Sequence, residues 1–271
     1  MALHIQGYYA ILDMKGSSLD LAAALRHASE LLNAKPCCLQ LRAKQLSLAA
    51  LCELGHALRP ICIEHGVPLC VNDRLEVAMA IAADVIHLGQ NDLPLAEVLR
   101  VRSRAHAQSL VVGVSTHDLD QAQSAAAGGA DYIGFGPVFP TLSKADADPA
   151  VGLVALQEVA AAVTVPVVAI GGITLDNVAA VARAGASAAA VIAAVDGAAD
   201  RTLAGRRIAL AFATNAAKLS TGDVDRAIAE GATAFGHNLQ IIERHGLPPD
   251  FPVNPGFPEG NYLKFALAVK I

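Results

Sequence analysis

Gln40, Arg42 and Lys44 stand at alternate positions of Gln40-Leu41-Arg42-Ala43-Lys44, so on an extended backbone their side chains project to one side. Two fixed cations at the end of a strand suit a polyanion such as a diphosphate, while the segment taken alone also reads as a solvated basic turn. Asn72 and Asp73 follow one apolar run, and Asp92 follows the next. If those runs are neighbouring strands, the two carboxylates come to matched positions. Mg²⁺ favours that arrangement, with water and substrate phosphate completing its shell. Each Asp singly also fits as the N-cap of the helix after it. Ser115 and Thr116 end a further run, where either could cap the next helix, and His117 beside them has no Ser or Cys nucleophile to activate.

Gly134-Phe135-Gly136 lacks a third glycine and runs into Pro137, which excludes a dinucleotide fingerprint. The segment that follows, with Thr141, Leu142, Ser143 and Lys144, reads as a lid bringing hydroxyls and a cation over an anion. Gly171 and Gly172 after the next run, and Ile192 and Ala193 at the end of the last, can offer backbone N–H groups to a phosphate. A tight turn is the alternative for the glycine pair. Together these residues describe two anion sites on one face, a diphosphate with metal and a monophosphate.

Positioning them requires a scaffold that repeats. Short apolar runs at 7–12, 37–41, 67–71, 85–88, 110–114, 131–135, 165–170 and 188–193 alternate with segments of helical spacing. Those segments are 19–32, 48–64, 75–82, 93–104, 119–127, 152–163, 176–184 and 199–212. Strand and helix alternating eight times is the pattern of a parallel α/β protein. Polar and glycine residues follow nearly every strand, as they do at the catalytic face of a (β/α)8 TIM barrel. A doubly wound open sheet would concentrate them near one switch point, which makes it the second choice. The barrel is expected to occupy residues 1–213. Residues 214–271 form a C-terminal extension of different composition, with a capped helix near 220–244 and a proline-rich loop after it. The extension reads as an accessory packing or oligomerisation segment, which leaves a homo-oligomer open.

Composition narrows the partners. Hydrophobic residues make up 54% and charged residues 17%, and the net charge of −5 gives no case for nucleic acid or an anionic membrane. Mean hydropathy is +0.44, yet the longest uncharged run, between Glu158 and Asp176, is broken by Pro166, Gly171 and Gly172. No membrane span is expected. Five cysteines without a CxxC pair read as small core residues of a reducing compartment, and the first residues lack a signal-peptide pattern, so the expected location is cytoplasmic.

The motifs QLRAK (40–44), VNDR (71–74), HLGQND (87–92), GVSTH (113–117), DYIGFGPVFPTLSK (131–144), VGL (151–153) and AIGGIT (169–174) resemble the thiamine-phosphate synthase family, in order, over roughly residues 6–200. The resemblance implies condensation of 4-amino-5-hydroxymethyl-2-methylpyrimidine diphosphate with 4-methyl-5-(2-hydroxyethyl)thiazole phosphate. The products are thiamine phosphate and pyrophosphate. It further implies that Gln40, Leu41, Arg42, Ala43, Lys44, Asn72, Ser115 and Lys144 hold the pyrimidine diphosphate, with Arg42, Lys44 and Lys144 stabilising the departing charge. Asp73 and Asp92 would bind Mg²⁺. Thr141, Leu142, Ser143, Gly172, Ile192 and Ala193 would hold the thiazole phosphate. Two positions depart from the family's habit: Ala193 stands where Ser is usual, removing a hydroxyl, and Ser143 stands where Thr is usual. A thiazole tautomerase on the same barrel, or a silent binding protein, is the rival reading. The tautomerase needs no metal or diphosphate site, so the retained Arg42, Lys44, Asp73 and Asp92 argue against it; the binding protein stays as a third reading.

Overall fold

A computed structural model of the chain describes residues 4–141 and 149–215. The first half contains β1 (Gly7–Asp13), α1 (Leu21–Leu32), β2 (Cys38–Arg42), α2 (Leu48–His65), β3 (Leu69–Asn72), α3 (Leu75–Ala80), β4 (Val85–Leu88) and α4 (Leu95–Arg104). The second contains β5 (Val111–Thr116), α5 (Leu119–Ala127), β6 (Tyr132–Phe135), α6 (Gly152–Ala162), β7 (Val167–Ile170), α7 (Val178–Arg183), β8 (Ala188–Val191), α8 (Ala193–Asp196) and α9 (Arg201–Ala213). The strands are parallel and pair in chain order, and β8 closes on β1 through Gly7↔Ala188 to Ala10↔Val191. Closure makes this a (β/α)8 barrel and removes the open sheet from consideration.

Alternation along each strand divides the core into two layers. Tyr8, Ala10 and Leu12 of β1, Leu39 and Leu41 of β2 and Ile86 and Leu88 of β4 point outward, where they meet Leu31, Leu54, Leu58 and Ile208 from the helices. The opposite parity points inward: Tyr9, Ile11, Cys38, Cys70, Val85, Tyr132, Val168, Ala188 and Ala190 pack along the barrel axis. Fully burying one Leu of the outer layer contributes roughly 1.5–3 kcal/mol, so this layer dominates the hydrophobic stabilisation.

Helix starts are set by side-chain caps where the sequence supplies them. Asp20 accepts from Ala23 N for α1, Ser47 from Ala50 N for α2 and Asp200 from Leu203 N for α9. The last helix closes the ring against the first: Arg201 pairs with Glu30 at 2.7 Å, and Thr202 Oγ1 donates to the Glu30 carbonyl. Gly205 sits inside α9 because a Cβ there would come within 2.7 Å of Ala34 Cβ.

Three local expectations shift. The last strand stops at Val191 rather than 193, Ile192 turns helical, and Ala193 opens the short helix α8. Ala193-Ala-Val-Asp carries no cap signal, so the apolar run conceals the turn. Neither Ser115 nor Thr116 caps α5; Asp118 does, accepting from Gln121 N at 2.8 Å. Asp73 and Asp92 do not cap either, because the N-cap positions of α3 and α4 are Arg74 and Pro94, neither with a side-chain cap. The expected lid residues Leu142, Ser143 and Lys144 lie outside the described residues, as do residues 216–271 of the extension.

Candidate active site at the barrel mouth

The carboxyl ends of the parallel strands bring Arg42, Lys44, Asp73, Asp92 and Ser115 to one face. On β1 and β2, Asp13 and Arg42 are partners in register and pair through their side chains, and Lys15 Nζ lies 2.6 Å from the other Asp13 oxygen. The Asp13 side chain is buried, so a carboxylate beneath the mouth is neutralised from both sides. Lys44, two residues past the end of β2, lies 3.9 Å from Asp73.

Asp73 follows β3 with φ at 65°, a left-handed conformation that Asp tolerates better than most residues, and its amide donates to the His87 carbonyl at 2.8 Å. The carboxyl has its pKa pushed up to about 6, first by burial and then by a hydrogen bond and charge repulsion with Asp92, with Lys44 and Arg42 pulling the other way. Asp92 follows β4, where one oxygen accepts from Gly89 N at 2.6 Å. Lys44, Asp73, Arg74, Glu76, Asp92 and Leu93 line a cleft of about 380 Å³. Two carboxylates that repel each other form an all-oxygen donor pair suited to a hard divalent cation. Among the described residues no group of three or more His, Cys, Asp or Glu could hold a metal, so water or substrate oxygens would supply the remaining ligands. The site therefore fits Mg²⁺ of the kind that bridges protein and phosphate.

Gln40 differs from its neighbours. It is buried inside the barrel and its amide donates to the Tyr9 hydroxyl at 3.1 Å, below Arg42 and Lys44. Ser115 Oγ lies 2.9 Å from His87 Nε2, while buried Thr116 donates to the Gly134 carbonyl. Burial lowers the His87 pKa to about 4, outweighing the attraction of Asp92, so this imidazole is neutral near pH 7. His117 Nδ1 donates to the Gly136 carbonyl at 2.6 Å, bracing the loop after β6.

That loop lies on the turn after β7. Val138 N donates to the Ile170 carbonyl and Phe139 N to the Gly171 carbonyl, at 2.8 and 3.0 Å. Gly171 and Gly172 have φ of 98° and 63°, and a Cβ on Gly172 would come within 2.5 Å of the Pro140 carbonyl. The glycine pair is thus a tight turn that also admits the neighbouring loop. Thr141 continues from Pro140, and the first amides of α8, at Ala193 and Ala194, have no intrahelical acceptor.

A family model described as thiamine monophosphate synthase matches residues 8–195. The thiamine-phosphate synthase of Roseiflexus castenholzii is 48% identical over 170 residues, covering 63% of this chain and 73% of that protein. The Moorella thermoacetica enzyme of the same name is 46% identical over 63% of this chain and 79% of its own length. The chain belongs to the thiamine-phosphate synthase family. A solved thiamine phosphate pyrophosphorylase from Pyrococcus furiosus superposes with a TM-score of 0.68 at 31% identity, over 78% of this chain and 97% of that one. A 3-hexulose-6-phosphate synthase, 19% identical with a TM-score of 0.57 over 75% and 99% of the two chains, shares the barrel alone.

As a thiamine-phosphate synthase relative, the chain carries mouth and interior residues that the motifs did not single out: Tyr9, Asp13 and Lys15, with His87 and Tyr132 quoted only inside HLGQND and DYIGFGPVFPTLSK. The parity of Tyr9 and Tyr132 within their strands was a usable signal, because it matches that of Gln40 and Ser115. Asp13 carried another, as a charge closing an otherwise apolar run.

Proposed function

We infer that the chain condenses 4-amino-5-hydroxymethyl-2-methylpyrimidine diphosphate with 4-methyl-5-(2-hydroxyethyl)thiazole phosphate, releasing pyrophosphate and thiamine phosphate. The observation that carries the reading is the cleft in which Lys44, Asp73 and Asp92 meet at the mouth of a barrel of this family. The thiazole nitrogen attacks with a lone pair and has no proton to lose, so no general base is needed. Its bond to the methylene carbon forms as the carbon–oxygen bond to the diphosphate breaks. The pyrimidine amino group can feed electrons to that carbon, which favours a dissociative displacement with bond breaking ahead.

The protein's part is to orient both ligands and stabilise the departing charge. Arg42, Lys44 and Lys144 carry that role, with Gln40, Leu41, Ala43, Asn72 and Ser115 completing the pyrimidine diphosphate site. Asp73 and Asp92 would hold Mg²⁺, which supplies neutralisation of diphosphate oxygens when bound. Thr141, Leu142, Ser143, Gly172, Ile192 and Ala193 form the thiazole phosphate site. The chemistry is assigned to residues 1–213, with residues 214–271 an added segment. No helix among the described residues is long and apolar enough to cross a membrane.

Incubation with both substrates and Mg²⁺, followed by detection of pyrophosphate, tests the reading. Pyrophosphate and thiamine phosphate are expected together. Isomerised thiazole phosphate without pyrophosphate would replace the synthase by a tautomerase, and neither product would leave a binding protein.

A further inference from the structure

The barrel interior contains a line of hydrogen bonds that the charge chemistry at the mouth does not use. Gln40 Nε2 donates to the Tyr9 hydroxyl, which lies 3.2 Å from the Tyr132 hydroxyl. The Tyr132 hydroxyl is 2.9 Å from His87 Nδ1, and His87 Nε2 is 2.9 Å from Ser115 Oγ. The interior is shaped for these rings. A Cβ on Gly113 would lie 2.1 Å from Tyr132 Cζ, and one on Gly134 would lie 3.0 Å from His87 Cε1. Ring centroids are 6.4 Å apart for Tyr9 and Tyr132 and 5.5 Å for His87 and Tyr132.

The amide end sets a direction. An amide nitrogen only donates, so the Tyr9 oxygen accepts and its own proton is available to Tyr132. Tyr132 accepts in turn and sends its proton to His87 Nδ1. A neutral imidazole that accepts at Nδ1 carries its proton on Nε2, which then donates to Ser115 Oγ. The Ser115 proton has to point onward. In the opposite direction the Tyr9 proton would fall back on the sulfur of Cys70, a weaker acceptor, and Ser115 would spend its proton on His87. Hydrogen bonds that all run one way also polarise one another favourably.

We propose that Tyr9, Tyr132 and His87 are positioning residues that fix the Nε2–H tautomer of His87 and so commit the Ser115 hydroxyl to donate to a lone pair of the bound substrate. This deepens the condensation reading, in which that acceptor is a diphosphate oxygen or a pyrimidine ring nitrogen.

The test uses the full chain labelled with [¹⁵N]histidine, without ligand, near pH 7, with His87 assigned by loss of its signals in His87→Gln. The expected spectrum has a protonated Nε2 and an unprotonated Nδ1. Tyr132→Phe should populate the Nδ1–H form, and Tyr9→Phe should leave the tautomer as it is, because Tyr132 still donates directly. In steady-state kinetics Tyr132→Phe should raise KM for the pyrimidine diphosphate several-fold, and adding it to Ser115→Ala should cost little more. A wild-type Nδ1–H form, which an inverted Gln40 amide would also produce, overturns the proposal. An imidazolium, or a tautomer unmoved in Tyr132→Phe, overturns it equally. The wild-type spectrum alone decides the tautomer if a variant fails to fold. These spectra need no substrate, so a failed proposal is separable from a failed condensation assay.

Discussion

On β1, Tyr8 faces the helices and Tyr9, the next residue, faces the barrel axis. The two are equally buried and differ in what their hydroxyls meet. Tyr9 is engaged by Gln40 and Tyr132, whereas the Tyr8 hydroxyl has no hydrogen-bond partner among the described residues. The layers around them differ in the same way. The shell between sheet and helices is built almost wholly from Ala, Val, Leu and Ile, which need only volume and contact. The interior adds Gln40, His87, Ser115 and the two inward glycines, each fixed by a specific partner. Stability is concentrated in a layer tolerant of conservative exchange, and chemistry in a layer that is not.

The largest effect should come from damaging the shell. Leu54→Ala, on a fully buried α2 side chain, should cost about 2–5 kcal/mol in denaturant unfolding. Activity per folded molecule should stay unchanged; a matching loss of kcat would mean that the layers are not separable. Lys44→Ala is the converse. Its side chain is half exposed and its pairing with Asp73 is loose, so stability should barely change. Losing a stabiliser of departing charge should lower kcat/KM by about 10²-fold. Full activity would reduce Lys44 to a surface charge.

The eightfold alternation made the barrel legible in the sequence, since short apolar runs and segments of helical spacing recur in turn. The mouth was legible where a charge ended an apolar run, as at Arg42, Asp73 and Asp92. What stayed hidden depends on register. Tyr9 and Tyr132 meet only because β1 and β6 face each other across a closed barrel, a contact that no local spacing reports. The α8 turn was hidden for a different reason, because its four residues carry neither a cap nor a breaker. Gln40 was legible as polar and on the same side as Arg42 and Lys44, but its level below Arg42 follows from the pairing Gln40↔Cys70 deep in the sheet.

A smaller effect should separate the carboxylate pair from its surroundings. Asp73 has a folded pKa raised from 3.8 to about 6, so the folded state binds more protons than the unfolded one in that window. Its contribution to stability is present below pH 4 and is lost as pH rises through about 6. Asp73→Asn keeps the left-handed backbone and removes the repulsion. Its metal-free Tm at pH 7 should therefore rise relative to wild type, and the stabilisation by Mg²⁺ should disappear. An unchanged Mg²⁺ effect on Tm would remove Asp73 from the metal site.

The smallest effect sharpens the contrast on β1. Tyr8→Phe deletes a buried hydroxyl without a hydrogen-bond partner among the described residues, so stability should hold or rise by about 1 kcal/mol with kcat and KM unchanged. A loss of activity would place Tyr8 in the functional layer.

The condensation itself is tested most directly in a single turnover, with enzyme in excess over the pyrimidine diphosphate and with thiazole phosphate and Mg²⁺ present. The expected result is one pyrophosphate per thiamine phosphate, with both lost on chelation of the metal. Thiamine phosphate formed at full rate in chelator, or thiazole phosphate consumed without pyrophosphate, would contradict it.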